Sequence, residues 1–387
     1  MNKMLPFSKP SIGTREVQEV FKTLTSGWLT TGKKVNLFET KFAEWVGARF
    51  AVATSSATAA LHISLQALGI GEKDEIMTPS FTFISTVNII TLLGAKPIFV
   101  DIHPETWNLD ESLIEKKITS KTKAIIPMHY AGRACQMKPI YEVAKKYGLK
   151  VIDDAAHALG TYDDGKHIGS GSDLAIYSFH PNKNITTGEG GMIVSNDEAF
   201  IEKLRPYAFH GILREAWKRT QAKHLAYDVE APGFKYNMMD LQASLGLHQL
   251  DRLPVFLKKR KRLSRLYERF LKNDPNLLLQ EGGEWGNHSR NLFPVVLKTE
   301  RIQKSREEIM EALKQENISV GVHWPAAHTC TYYRENLKNK DKLPHTEYVA
   351  SRVISLPLFP DLKATEVNRV CKTLKKIVGS VSRERVA

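Results

Sequence analysis

The sequence predicts an α/β protein: a large, mostly parallel sheet domain sandwiched by helices, followed by a smaller C-terminal α/β domain. Two patterns predict this. From about residue 49 to 196, short β-branched runs alternate with longer segments of helical period, the signature of a sheet covered on both faces. After a long helical region the alternation restarts on a smaller scale.

The predicted strands are Phe50 to Ala53, Glu75 to Met77, Pro97 to Ile102, Ala124 to Met128, Lys150 to Asp153, Leu174 to Ser178 and Met192 to Ser195. Between the early ones, Ala57 to Leu68 carries Ala57, Leu61, Leu65 and Leu68 at helical spacing and stops at Gly69. A second helix opens at Pro139, whose missing N–H costs nothing in a first turn, and closes at Gly148. A long helix from Met239 to Leu271 is expected to break or kink at Pro254. Beyond the Gly-rich stretch Glu281 to Gly286, Leu292 to Leu297 and Ile318 to His323 read as strands, and Lys304 to Gln315 and Thr365 to Val378 as helices. The expected division is residues 1–250, the large domain with an N-terminal arm, and residues 251–387, a connecting helix with the small domain.

Composition bounds the function. The 387 residues are 42% hydrophobic and 25% charged, which excludes a disordered, collagenous or disulfide-stapled chain. Cys135, Cys330 and Cys371 are widely spaced and form no C-x-x-C pair, so neither a disulfide framework nor a zinc or other metal site is expected. With no signal-peptide core and no long apolar span, the expectation is a cytoplasmic protein without membrane contact. The net charge of +13 admits nucleic acid, anionic lipid or a small polyanionic ligand. Its densest source is Lys258-Lys259-Arg260-Lys261-Arg262. Because Phe256, Leu263, Leu266, Tyr267 and Phe270 continue an apolar stripe around it, the run reads as the wet side of an amphipathic helix rather than a nucleic-acid patch.

Three segments carry chemistry when taken together. Thr54 to Leu61 places small hydroxyl residues where a strand gives way to a helix, and free N–H groups there suit a phosphate. Alone, the segment reads as plain capping by Ser55 or Ser56. Val151 to His157 puts an acidic pair at the end of a buried strand, where open sheets place their ligands. A carboxylate there needs a cation, and a pyridinium nitrogen is one; singly, Asp154 reads as a helix cap and His157 as a core histidine. Tyr177 to Gly191 holds Lys183 in a turn-rich loop followed by glycines. A lysine so held can form a Schiff base with an aldehyde, the way pyridoxal phosphate is tethered, though any single lysine reads first as an exposed loop residue. The order of phosphate cradle, strand-end acid and lysine is that of aminotransferase-type pyridoxal phosphate enzymes.

Over nearly its full length the chain resembles the sugar-nucleotide aminotransferases of the DegT/DnrJ/EryC1/StrS group. The resemblance rests on Ser26 to Gly32, Asp154 to Gly160, Ser178 to Gly191 and Ser355 to Pro360. Segments His129 to Gly132, Pro232 to Asn237, Ala326 to Thr329 and Tyr332 to Glu335 point to the branch acting on UDP-linked arabinose-type sugars. Phe83 stands where that branch has a tryptophan.

The resemblance implies an aspartate-aminotransferase-like fold of type I, pyridoxal 5'-phosphate as cofactor, and transfer of an amino group from L-glutamate to a 4-keto sugar nucleotide for a cell-surface glycan such as lipopolysaccharide. It implies that Lys183 tethers the cofactor and moves protons, and that Asp154 pairs with the ring nitrogen. His157 would approach the ring oxygen or ring face, Phe83 would stack, and Ala57, Thr58 and Ser178 would hold the phosphate. Family members are homodimers with shared sites, so Lys235, Asn237 or both would reach the neighbour's cofactor or substrate. Trp28 and Thr30 in the N-terminal loop, and His323 and His328 in the C-terminal domain, would border the sugar, with a structural hydrogen bond the alternative for each histidine. The alternatives are a 3-keto, GDP- or dTDP-linked substrate, a related dehydratase, whose lysine position carries histidine, and, remotely, a non-enzymatic basic binding protein.

Overall fold

The computed structural model describes residues 4–212, 227–229, 231–281, 287–337 and 341–379. Two N-terminal helices, α1 (Thr14–Thr25) and α2 (Lys33–Val46), precede the first strand. The α/β region then runs β1 (Phe50–Thr54), α3 (Ala57–Ala67), β2 (Glu75–Pro79), α4 (Ile84–Leu92), β3 (Lys96–Val100), β4 (Thr122–Ile125), α5 (Met137–Tyr147), β5 (Lys150–Asp154), a small hairpin β6 (Tyr162–Asp163) and β7 (Lys166–His167), β8 (Leu174–Ser178), β9 (Gly191–Ser195) and α6 (Glu198–Ala208).

Seven of these strands form one sheet in the order β1-β9-β8-β5-β4-β2-β3. Neighbours pair in parallel from β3 to β8, and β9 alone is antiparallel, to both β8 and β1. The strands are buried on both faces, and their period of two divides the core. Val151, Ala175 and Val194 pack with Phe38, Phe42 and Ile140 on one face, while Ile152, Ile176 and Ile193 pack with Leu61, Leu65 and Leu204 on the other. The parallel strands all end at one edge, so Thr54, Pro79, Asp154 and Ser178 converge there.

The long helix α7 (Asp240–Leu271) joins two cores. Leu250, Leu253 and Phe256 belong to the sheet's core, and Leu263, Tyr267 and Leu271 to a second, C-terminal one. That second core is built on β10 (Leu277–Leu279), β11 (Phe293–Leu297) and β12 (Val353–Leu356), an antiparallel sheet in that order. Helices α8 (Thr299–Ile302), α9 (Arg306–Gln315), α10 (Thr331–Asn336), α11 (Pro344–Arg352) and α12 (Ala364–Gly379) complete the described chain.

Several expectations need correction. Helix α7 continues through Pro254, which is exposed, so the missing N–H and the ring are accommodated on the solvent side. Helix α5 begins at Met137, leaving Pro139 inside the first turn, where an N–H still has no intrahelical acceptor. The 318–323 segment is no strand. It makes one bridge from Ile318 to Leu5 and one from Gly321 to Ser355, then turns toward the sheet's ligand edge. Arg260 is not on the wet side of its helix. It is 1% exposed, and its Nη1 donates to the carbonyls of Asn291 (3.0 Å), Leu358 (3.1 Å) and Arg290 (3.4 Å). Of the Gly-rich stretch Glu281 to Gly286, residues 282–286 lie outside the described residues. No helix among the described residues is long and apolar enough to cross a membrane.

Candidate active site

A cavity of about 420 Å³ opens at the edge where the parallel strands end. Ser56, Ala57, Thr58, Phe83, Asp154, His157, Ser178, Lys183 and His323 all line it, so most of the residues expected to act together do meet.

Each is placed by its element. Ser56 caps α3: its Oγ accepts the Ala59 N–H at 3.1 Å, and the N–H groups of Ala57 and Thr58, first in the helix, have no intrahelical acceptor. The capping and phosphate-binding readings are thus compatible, since the cap uses only the third N–H. Asp154 closes β5. Its Oδ1 accepts the Ala156 N–H and its Oδ2 the Thr86 hydroxyl, both at 3.2 Å. Burial raises its pKa, opposed by those two bonds and by the charge of Lys183.

Lys183 sits in the loop between β8 and β9. The loop is pinned by Lys183 N–H to His180 O (2.9 Å), Asn184 Nδ2 to Leu159 O (2.9 Å) and Thr186 Oγ1 to Phe179 O (2.8 Å). Desolvation of its amine, only partly offset by Asp154, lowers the pKa to about 8.

His157 is 2% exposed, and its Nδ1 accepts the Ala131 N–H at 3.3 Å. Ala131 adopts the left-handed conformation (φ 57°) in the turn His129 to Gly132 that delivers this donor. With Nδ1 an acceptor, the proton of the neutral ring lies on Nε2. That atom is buried without a partner among the described residues, and burial beside Lys183 and His323 holds the ring's pKa well down. His323 Nδ1 shares a hydrogen bond with Ser355 Oγ (2.9 Å), its ring stacks on Phe7, and burial lowers its pKa to about 4.

The remaining expected residues lie elsewhere in the subunit. His328 does not line the cavity; its Nδ1 bonds Ser80 Oγ at 2.7 Å and its Nε2 faces Glu347 at 3.4 Å. Trp28, Thr30, Lys235 and Asn237 gather near the start of α7. Trp28 Nε1 donates to Thr31 O (3.2 Å), Asn237 Nδ2 to Thr31 Oγ1 (2.6 Å), Lys235 Nζ to Asn237 Oδ1 (2.6 Å), and Asp240 N–H to Thr30 O (3.1 Å). Thr30 and Asn237 line a separate cavity with Glu39 and Arg205.

Sequence reasoning missed Thr86, Glu189, Val322 and Trp324. Trp324, beside His323 in an otherwise small-residue loop, carried a signal in its size; Thr86, interior to a helix, carried none.

These residues suit pyridoxal phosphate. A helix N-terminus with free N–H groups fits its phosphate, a buried carboxylate its ring nitrogen, an unpartnered Nε2–H a ring acceptor, and a partly buried amine its aldehyde.

The comparisons agree. The model of the DegT/DnrJ/EryC1/StrS aminotransferase family matches residues 10–375. An uncharacterized protein of Methanocaldococcus jannaschii is 42% identical over 377 residues, 97% of this chain and 98% of that one. Among solved structures, PseC of Helicobacter pylori, an aminotransferase of pseudoaminic acid biosynthesis, superposes with a TM-score of 0.91 at 28% identity, covering 98% of this chain and 100% of that one. DesI, solved in the presence of its TDP-sugar product, gives 0.88 at 30% identity, over 100% and 96%. The family match over nearly all of the chain, together with a lysine, a buried acid and a helix-start turn in one cavity, establishes that the chain belongs to the DegT/DnrJ/EryC1/StrS aminotransferase family.

Proposed function

We propose that the enzyme moves an amino group from L-glutamate to the 4-keto group of a UDP-linked, arabinose-type sugar nucleotide, making an amino sugar for a cell-surface glycan. As a family member it is a sugar aminotransferase, and its cofactor is pyridoxal 5'-phosphate. The observation that carries the reading is the meeting of Lys183, its amine lowered to about 8, with buried Asp154 in one cavity.

When bound, the cofactor supplies the electron sink that makes a Cα–H or C4–H bond acidic. The chain's residues do the rest. Asp154 holds positive charge at the ring nitrogen. His157 donates from Nε2, Phe83 covers the ring, and the Ala57–Thr58 turn with Ser178 receives the phosphate. Lys183 Nζ takes the proton from the donor's Cα; with a pKa of about 8, on the order of a tenth of the amine is free at pH 7, where a solvated lysine is almost wholly protonated. In the second half-reaction the same Nζ returns a proton to C4 of the sugar. We take residues 1–250 as the cofactor domain and 251–387 as the connecting helix and small domain. We also take the working unit to be a homodimer, in which Lys235, Asn237 or both serve the neighbouring site and Trp28 and Thr30 border a sugar.

The test runs the reaction in reverse, with 2-oxoglutarate and a panel of UDP-, GDP- and TDP-linked amino sugars. UDP-linked 4-amino sugars are expected to lose their amino group. Conversion of only 3-amino or only GDP- or TDP-linked compounds would move the substrate within the family. Failure of all while a plain amino acid is turned over would overturn the sugar reading.

A further inference from the structure

The loop 321–328 brings the C-terminal part of the chain into the cavity. Val322, His323 and Trp324 are its contribution, and every other lining residue falls between 56 and 189. The loop is fastened at three points. Gly321 exchanges two backbone bonds with Ser355 (3.0 and 2.8 Å). Tyr130, fully buried beneath the sheet edge, donates its hydroxyl to His323 O at 2.7 Å. Ser80, just past β2, accepts the His328 N–H at 3.0 Å, bonds the same ring's Nδ1 and receives the Ala327 N–H on its carbonyl.

Between these fastenings stands Trp324. Its ring lies nearly parallel to that of His157, with centroids 5.0 Å apart and planes at 27°. The edge of Tyr130 meets it at 5.8 Å and 74°, and Phe83 faces it at 5.9 Å. No group among the described residues accepts its indole N–H. A held aromatic edge with an unused donor, beside Phe83 and Val322, matches a ring that has apolar C–H faces and a hydroxyl rim.

We propose that Trp324 is a specificity-determining wall for the pyranose ring of the substrate, and that Tyr130 is the residue positioning it. The inference rests on the sugar-nucleotide reading above and adds the residues that recognise the sugar. His328 becomes part of the third fastening of the same loop rather than a substrate contact. Tyr130 acts through the backbone of His323 and the edge of Trp324, and its ring also meets that of His157 at 6.4 Å; it does not line the cavity itself.

The test uses the cofactor-loaded enzyme with Trp324→Ala, Trp324→Phe and Tyr130→Phe. KM for the amino sugar nucleotide found active in the reverse panel is expected to rise roughly tenfold or more in W324A. In W324F and Y130F a rise of about threefold to tenfold is expected, from loss of one hydrogen bond. KM for 2-oxoglutarate should move less than these. Calorimetric binding of the same sugar nucleotide should weaken in the same order. Melting temperatures confirm folding, and W324F and Y130F keep the test open if W324A does not fold. Variants that bind the sugar nucleotide as tightly as the parent, or that raise both KM values equally, would overturn this inference alone. A parent enzyme that neither binds nor converts any sugar nucleotide would instead sink the proposed function, and this inference with it.

Discussion

Gly191 and Ser56 stand so close that no side chain fits between them: a Cβ on Gly191 would lie 2.5 Å from the carbonyl carbon of Ser56 and 2.6 Å from the nitrogen of Ala57. The contact is backbone against backbone, so nothing can swing aside. It arises because Gly191 pairs with Thr54 across β1 and β9, just before the chain turns into α3.

Gly191→Ala therefore displaces the turn whose N–H groups receive the phosphate. Cofactor affinity should fall by at least about tenfold, while the strands, paired along their whole length, remain. Absorbance titration of cofactor-free protein with pyridoxal phosphate reads the change. Unaltered affinity would show that the phosphate sits elsewhere.

The amine of Lys183 links catalysis to stability. Its folded-state pKa of about 8 lies below the ordinary 10.5, so between these values the unfolded chain binds a proton that the folded chain has released. The contribution of Lys183 to the stability of the cofactor-free protein then rises with pH across that window, and below pH 8 the buried ammonium exacts its full penalty. Lys183→Ala removes turnover and also removes this penalty. It deprives Asp154 of its cation as well, so the net gain at pH 7 should be modest, on the order of 1–2 kcal/mol. Thermal melts of both cofactor-free proteins from pH 7 to 10 should show the gap closing as pH rises. A gap that widens would contradict the lowered pKa.

What the sequence made legible follows from distance along the chain and from which pattern was read. Asp154, His157, Ser178 and Lys183 lie on consecutive strand ends of a parallel sheet, so local motifs placed them together. Tyr130 and Trp324 meet only because a loop almost 200 residues downstream folds back on the sheet edge, and no local period announces that. Arg260 is a different case. Phe256, Arg260, Leu263, Tyr267 and Leu271 recur at spacings of three and four, so Arg260 stands within the buried stripe of α7, and its basic neighbours hid that. The 318–323 segment has strand composition, yet its residues serve to carry His323 and Trp324 into the cavity instead of forming a ladder.

Arg260 ties α7 to two distant segments through three carbonyls, and burial lowers its pKa only to about 10, so it stays charged at neutral pH. Arg260→Ala takes this donor from those carbonyls and opens a cavity, and should cost about 3–5 kcal/mol. Arg260→Met refills much of the volume and should cost about 1–3 kcal/mol. Alanine at the exposed Lys258 or Arg262 should leave the denaturation midpoint in place. Equal midpoints for R260A and K258A would show that the buried guanidinium holds nothing together.

The reading of Lys235 can be tested by mixing subunits, with the amino sugar nucleotide that the reverse panel finds active. Its amine is exposed, lies 4.4 Å from the centre of the Phe209 ring, and belongs to a cluster outside its own subunit's cavity. If it serves the neighbouring site, each complete site takes Lys183 from one subunit and Lys235 from the other. Lys183→Ala and Lys235→Ala homodimers should both be impaired, the first abolished. When the two are mixed and subunits exchange, half of the dimers are hybrids, and each hybrid holds one site with both lysines intact and one with neither. Activity should then recover to about a quarter of the parent value, given random two-fold pairing. Recovery no greater than the average of the two unmixed variants would show that Lys235 does not act across the interface.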